Sequence, residues 1–186
     1  GFGIGLRVVQ AGFMPVVALG FSVAPVAGQN FGARLADRVK KTYFIGVSMA
    51  AGLMAIWAVA CHFGAGAMVR FFSDDAQVIA VGSEYLRIIA WTFVGSGLVF
   101  VSSSMFQALG NTLPSLAASF GRMLVTVVPA ILLARLAGFE LRWIWYLSAG
   151  TIVFQVIAVL LLLRREFRLR LSPGAMLGAA SATART

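Results

Sequence analysis

Five apolar stretches, each long enough to cross a lipid bilayer, constrain this chain more than any other feature. They run from about Ile4 to Gln29, Tyr43 to Phe63, Ile88 to Leu109, Leu113 to Leu136 and Trp143 to Leu163. A helix needs ~20 apolar residues to span the hydrocarbon core. Lipid offers no partner to a free backbone donor or acceptor, so spanning segments are helices or strands of a closed barrel, and the short alternating strands of a barrel are absent. The expected fold class is all-α: a polytopic membrane helix bundle of about five transmembrane helices. Of the 186 residues, 60% are hydrophobic and 11% charged, whereas a soluble domain carries roughly 25% charge. So few charges cannot cover a water-facing surface, and the bilayer is the solvent they fit.

The net charge of +9 does not point to nucleic acid. The basic residues stand at the ends of apolar runs, which is the signature of membrane topology. Arg34, Arg38, Lys40 and Lys41 follow the first span, and Arg164, Arg165, Arg168 and Arg170 follow the fifth. Alternation places these, with the tight turn Gly110-Asn111-Thr112, on one side of the membrane. Arg70, Arg87, Arg135 and Arg142 fall on the other, with Asp74, Asp75, Glu84 and Glu140. The excess of positive charge assigns the first side to the cytoplasm. The expected location is the inner (plasma) membrane, multi-pass, with a cytoplasmic C-terminus. Gly1 opens the chain where a methionine would stand, and no cleavable signal precedes the first span. The chain is therefore expected to be a piece of a longer protein.

Between the second and third spans, residues 73–87 read as an interfacial helix on the outer surface. Ser73 is its expected N-cap, and Asp74 and Asp75 suit the positive end of the helix dipole. Val78, Ile79, Val81, Leu86 and Ile89 supply its apolar face. The tail 171–186 is rich in Ser, Ala and Gly and is expected to be disordered; residues 1–170 form the bundle. The ends of the first and third spans echo one another. Gln29 precedes Gly32 by three residues, and Gln107 precedes Gly110 by three, with each glycine expected to be the C-cap.

Taken in order, several motifs resemble the C-terminal lobe of the multidrug and toxic compound extrusion (MATE) family. Gly28-Gln29-Asn30-Phe31-Gly32-Ala33 is similar to the end of the family's eighth helix. Phe71-Phe72-Ser73-Asp74-Asp75-Ala76-Gln77-Val78-Ile79, followed by Tyr85-Leu86-Arg87-Ile88, resembles the stretch before the tenth. Phe106-Gln107-Ala108-Leu109-Gly110-Asn111 with Pro114 resembles the next turn. Ser119-Phe120-Gly121-Arg122 with Pro129 resembles the eleventh helix, and Trp143-Ile144-Trp145 the start of the twelfth. The resemblance covers about residues 1–165. It implies a chain of twelve helices in two bundles that exports cationic or amphipathic compounds in exchange for protons or sodium ions by alternating access. The implied partners are the lipid bilayer, an N-terminal lobe absent from this chain and small organic cations. No cofactor and no metal site are expected, and the chain is not expected to be an enzyme, because no paired carboxylates, Ser-His pair or ligand cluster lies in the spans.

A coupling site in lipid normally uses a carboxylate that faces the protein interior. Asp37, Asp74, Asp75, Glu84, Glu140 and Glu166 all fall in loops or at interfaces. Some members of the family carry an acidic residue early in the tenth helix; the corresponding Gly95-Ser96-Gly97-Leu98-Val99 has none. The coupling ion, H+ or Na+, is thus expected to bind outside this chain. The residue that stands out is Arg122, about 13 Å into the fourth span at 1.5 Å per residue. A charge at that depth costs roughly 2.5–3.5 kcal/mol unless it is partnered. It either lines the central cavity or braces neighbouring helices, or else it snorkels. Gln29, Asn30 and Gln107 bridge helices or face water, or cap carbonyls at helix ends. Ser103, with Ser96, Ser102 and Ser104, forms a polar stripe that suits a cavity wall or close helix packing. Pro15, Pro25 and Pro129 each remove one helix bond and are expected to bend their helices. Trp143, Trp145 and Tyr146 fit an interfacial aromatic belt. His62 beside Cys61 is either a proton relay or incidental. Two competing readings are a lipid-linked polysaccharide flippase of the same superfamily, which would show a more cationic cavity, and a membrane scaffold without transport of its own.

Overall fold

A computed structural model describes residues 2–135 and 141–172. Six α-helices follow one another: α1 (Phe2–Gly32), α2 (Ala36–Arg70), α3 (Ala76–Ile89), α4 (Phe93–Ala108), α5 (Leu113–Ala134) and α6 (Leu141–Arg170). A 3-10 turn at Ala90–Thr92 joins α3 to α4. Five segments are long and apolar enough to cross a membrane, and α3 with α4 forms one of them, Ala76–Ala108. α1 and α2 hold 31 and 35 residues, so each outruns a hydrocarbon core ~30 Å thick. Their charged ends project beyond it, which is why these helices extend past the apolar runs.

α4 occupies the centre. It packs on α1, α2 and α6, and more sparsely on α5. Lipid supplies no hydrophobic drive for helices to associate, so close approach of backbones has to hold them together. Small residues allow it. Gly12 lies under the Trp57 indole, Gly20 under Phe100, Gly46 under Val23 and Gly97 under Met54, each so close that a Cβ there would fall within 3 Å of its neighbour. Gly5 meets Tyr85 in the same way. α5 is the outlier. Only 6% of its spanning window is buried, whereas half of the Ala76–Ala108 window is.

Several expectations change at this level. The segment expected to lie on the outer surface packs one face on α1, α2 and α6, with Tyr85 and Leu86 buried. Its apolar face is used against protein, and it runs directly into α4. Its N-cap is Asp75, not Ser73: the Asp75 carboxylate accepts from the Gln77 and Val78 N–H groups, while Ser73 Oγ accepts from the Asp75 N–H. Trp145 is buried against Tyr85 and Phe2 rather than standing in a belt, while Trp143 and Tyr146 are exposed. The Gln29–Gly32 echo does not survive. At Gly110 (φ 70°) the chain is left-handed, with the Gly110 and Asn111 N–H groups bonded back to the Gln107 and Phe106 carbonyls. After α1 the left-handed residue is Arg34 (φ 62°), closing the same motif two residues beyond Gly32. Of the tail, Leu171 is buried and bonded to the Phe167 carbonyl, and 173–186 lie outside the described residues. Leu136 and Glu140 lie outside them too.

Glu166 is also not loose at an interface. It is buried in the last turns of α6, where Oε1 accepts from Asn111 Nδ2 at 2.8 Å and Oε2 sits 2.9 Å from Arg170 Nε. Arg170 Nη1 donates to the Leu109 carbonyl at 2.6 Å. These bonds clamp the α4–α5 turn to the end of α6. Replacing Glu166 with alanine removes the acceptor of two donors. The expected loss is about 1–3 kcal/mol, kept below the cost of a fully buried pair because Arg170 is partly open to solvent. Thermal unfolding in detergent measures it, and an unchanged midpoint would show the clamp to be idle.

Candidate functional site

One side of α5 is polar. Ser115, Ser119, Arg122 and Thr126 recur at steps of four, three and four, which places them on one face of a helix. Each meets a partner on a neighbouring helix. Ser115 Oγ donates to Ser103 Oγ of α4 at 2.8 Å. Arg122 Nη1 donates to Gln155 Oε1 of α6 at 3.0 Å, and Gln155 Nε2 donates to Ser119 Oγ at 3.3 Å. Thr126 Oγ1 lies 3.0 Å from Thr151 Oγ1, which in turn donates to the Ser148 carbonyl. The ladder fastens α5 to its neighbours where apolar packing is thin. It also borders two open clefts: one of about 310 Å³ lined by Ser103, Gln107, Thr112, Ser115 and Ser119, the other of about 410 Å³ lined by Ser119, Arg122, Thr126 and Gln155.

Arg122 is half-buried, and its described partner is a neutral amide. Among the described residues no carboxylate lies beside it at the cleft. Of the other expected site residues, Ser103 and Gln107 join this wall. Gln29 and Asn30 do not: they lie at the end of α1, where Gln29 is exposed and Asn30 Nδ2 donates to the Val26 carbonyl of its own helix. The serine stripe divides. Ser102 Oγ shares a buried 2.9 Å hydrogen bond with the Tyr43 hydroxyl and Ser104 donates to the Phe100 carbonyl, so only Ser103 reaches the cleft. α1 and α5 continue as helices through Pro15, Pro25 and Pro129. These prolines leave the Ala11, Phe21 and Val125 carbonyls without their helix donor. His62 packs edge-on against Phe63 and Trp91. Among the described residues no three His, Cys, Asp or Glu side chains gather as a metal cluster would require. Sequence reasoning missed Ser115, Thr126, Thr151 and Gln155. Their signal was present, as polar residues at helical spacing inside two apolar spans.

Five apolar spans that pack through glycines and carry a line of polar residues define a polytopic membrane helix bundle. The particular family follows from comparison: the chain belongs to the MatE family, whose model matches residues 1–132. It is similar to the FAD transporter of Shewanella oneidensis, at 24% identity over 69% of this chain and 28% of that protein. It is also similar to the multidrug export protein MepA of Staphylococcus haemolyticus, at 24% identity over 59% of this chain and 24% of that one. Its fold matches a solved outward-facing MATE family multidrug resistance transporter of the MOP superfamily, with a TM-score of 0.82 and 18% identity over 90% of this chain and 38% of that chain. The chain thus spans about a quarter of the length of these curated relatives. The Trp143-Ile144-Trp145 motif lies beyond the family match.

Proposed function

We propose that this chain is the C-terminal lobe of a secondary-active exporter that moves amphipathic, chiefly cationic compounds in exchange for protons or sodium ions. The observation that carries the reading is the polar ladder on α5, a helix otherwise apolar and little covered. Lipid against Arg122 would be costly. The ladder therefore suits a water-filled path shared with a second lobe, and the opposite face of α5 suits lipid. Among the described residues no carboxylate borders the two clefts, which supports a coupling-ion site in the other lobe. Pro15, Pro25 and Pro129 supply weakened points at which helices can flex as the lobe rocks. The eight basic residues at the ends of α1, α2 and α6 support a cytoplasmic reading of that end, in an inner (plasma) membrane protein.

A second reading has its own support. Among the described residues Arg122 faces its cleft without an acidic partner, which favours anionic cargo, and one relative is named for FAD, a phosphate-bearing compound. Proteoliposomes of the full-length protein separate the two. Under an imposed proton or sodium gradient, export of a cationic dye is expected. Export of a flavin nucleotide in its place would assign the anionic reading. Movement of neither under either gradient would leave a scaffold and defeat the exporter proposal.

A further inference from the structure

A larger cleft than either of those bordering α5 lies at the end where the basic residues gather. The backbones of α2 and α6 stay apart, and the two helices meet through side chains such as Tyr43 and Phe167. Their ends leave a gap of about 680 Å³, within the ~300–1,000 Å³ range of small-ligand sites. Lys40 of α2 and Arg164 and Arg168 of α6 stand around it. The two arginines are one turn apart and so share a face. All three are exposed, and none forms an ion pair among the described residues. The wall below them is apolar. Tyr43 and Phe167 meet edge to face at 5.6 Å, and the Tyr43 hydroxyl is pinned to Ser102, so this wall is built rather than loose. Phe44 and Leu160 carry it outward onto the lipid-exposed side.

We infer that this gap holds one anionic phospholipid, its phosphate between Lys40, Arg164 and Arg168 and an acyl chain along Phe44 and Leu160. Three arrangements select that occupant. The cations sit at the ends of two spanning helices, the level of lipid headgroups. No acidic side chain lines the gap: Glu166 is turned toward Asn111 and Arg170, and Asp37 is not among the lining residues. The apolar wall joins the charged rim to the surface that faces lipid, as an acyl chain requires and a free phosphate does not. Basic pockets between membrane helices bind anionic headgroups on this principle. A bound lipid would wedge α2 and α6 at a set distance.

Native mass spectrometry of the purified full-length protein, titrated with phosphatidylglycerol and separately with phosphatidylcholine, tests this. Phosphatidylglycerol is expected to give a single saturable adduct that phosphatidylcholine and excess inorganic phosphate fail to displace. The Arg164→Gln/Arg168→Gln variant should weaken it roughly 30-fold, at about 1 kcal/mol for each basic residue. Arg164→Lys/Arg168→Lys should keep most of the binding. The Arg38→Gln/Arg165→Gln variant removes equal charge, one residue from α2 and one from α6, outside the gap and should bind as the parent does. Equal weakening in that control would reduce the effect to general surface charge and overturn the site. So would displacement by inorganic phosphate, or equal binding of phosphatidylcholine.

Discussion

Leucine in place of Gly46 is expected to abolish recovery of folded protein. Gly46 sits in α2 where α1 and α4 converge. A Cβ there would stand 2.6 Å from Val23 Cγ2 and 3.4 Å from Val101 Cγ1. Val23 is 6% exposed and Val101 fully buried, and both are β-branched, so neither can swing aside by a rotamer change within its helix. Overpacking of this kind costs about 3 kcal/mol or more when several carbons are added. In a membrane no hydrophobic drive opposes separation of the helices, so the clash is relieved by loss of the close packing that holds α1, α2 and α4 together. Gly52, on the same helix, meets nothing within 4 Å of a Cβ. Leucine there should be neutral or slightly stabilising, because glycine is a poor helix former. Size-exclusion profiles and thermal unfolding of both variants in detergent check the pair; a monodisperse Gly46→Leu protein at parental yield would show that α1, α2 and α4 are not packed as described.

Removal of Arg122 is the second large effect, and it acts in two separable ways. Arg122→Ala takes from Gln155 a charged donor at 3.0 Å, and Gln155 is 4% exposed. An orphaned amide acceptor with one partly solvated side costs about 1–2 kcal/mol. Arg122→Ala combined with Gln155→Leu removes both partners and should recover much of that stability, since residues of one network do not add. Transport should not recover with it if the guanidinium also serves the cleft. Stability and export measured on the parent, the two single variants and the double variant separate bracing from cargo contact. Full export by Arg122→Ala at normal stability would leave the residue with neither role.

Membrane residence and five spans were legible because they depend on hydrophobic length alone. Arg122 was legible because a charge inside an apolar run is costly wherever the helices pack. Its partner was not, since Gln155 lies 33 residues away on a helix that could have turned any face toward α5. The protein neighbours of the 73–87 helix were not legible for a related reason. Val78, Leu86 and Ile88 make an apolar stripe, and a stripe by itself does not say which helices it meets; only packing does. The Gly32 cap failed because the αL position is set by where the last helical bonds close, and Arg34 took it.

By itself, then, the sequence determined the solvent, the helical class, the segregation of basic residues to helix ends and the positions of glycine and proline. Each follows from the transfer energy or backbone freedom of single residues. Tertiary structure alone decided that α4 is central and α5 bare, that four polar residues of α5 face partners on α4 and α6, and that Lys40 meets Arg164 and Arg168 across a gap. Those outcomes depend on the rotation and spacing of whole helices, which many weak contacts set together and no local run of residues encodes.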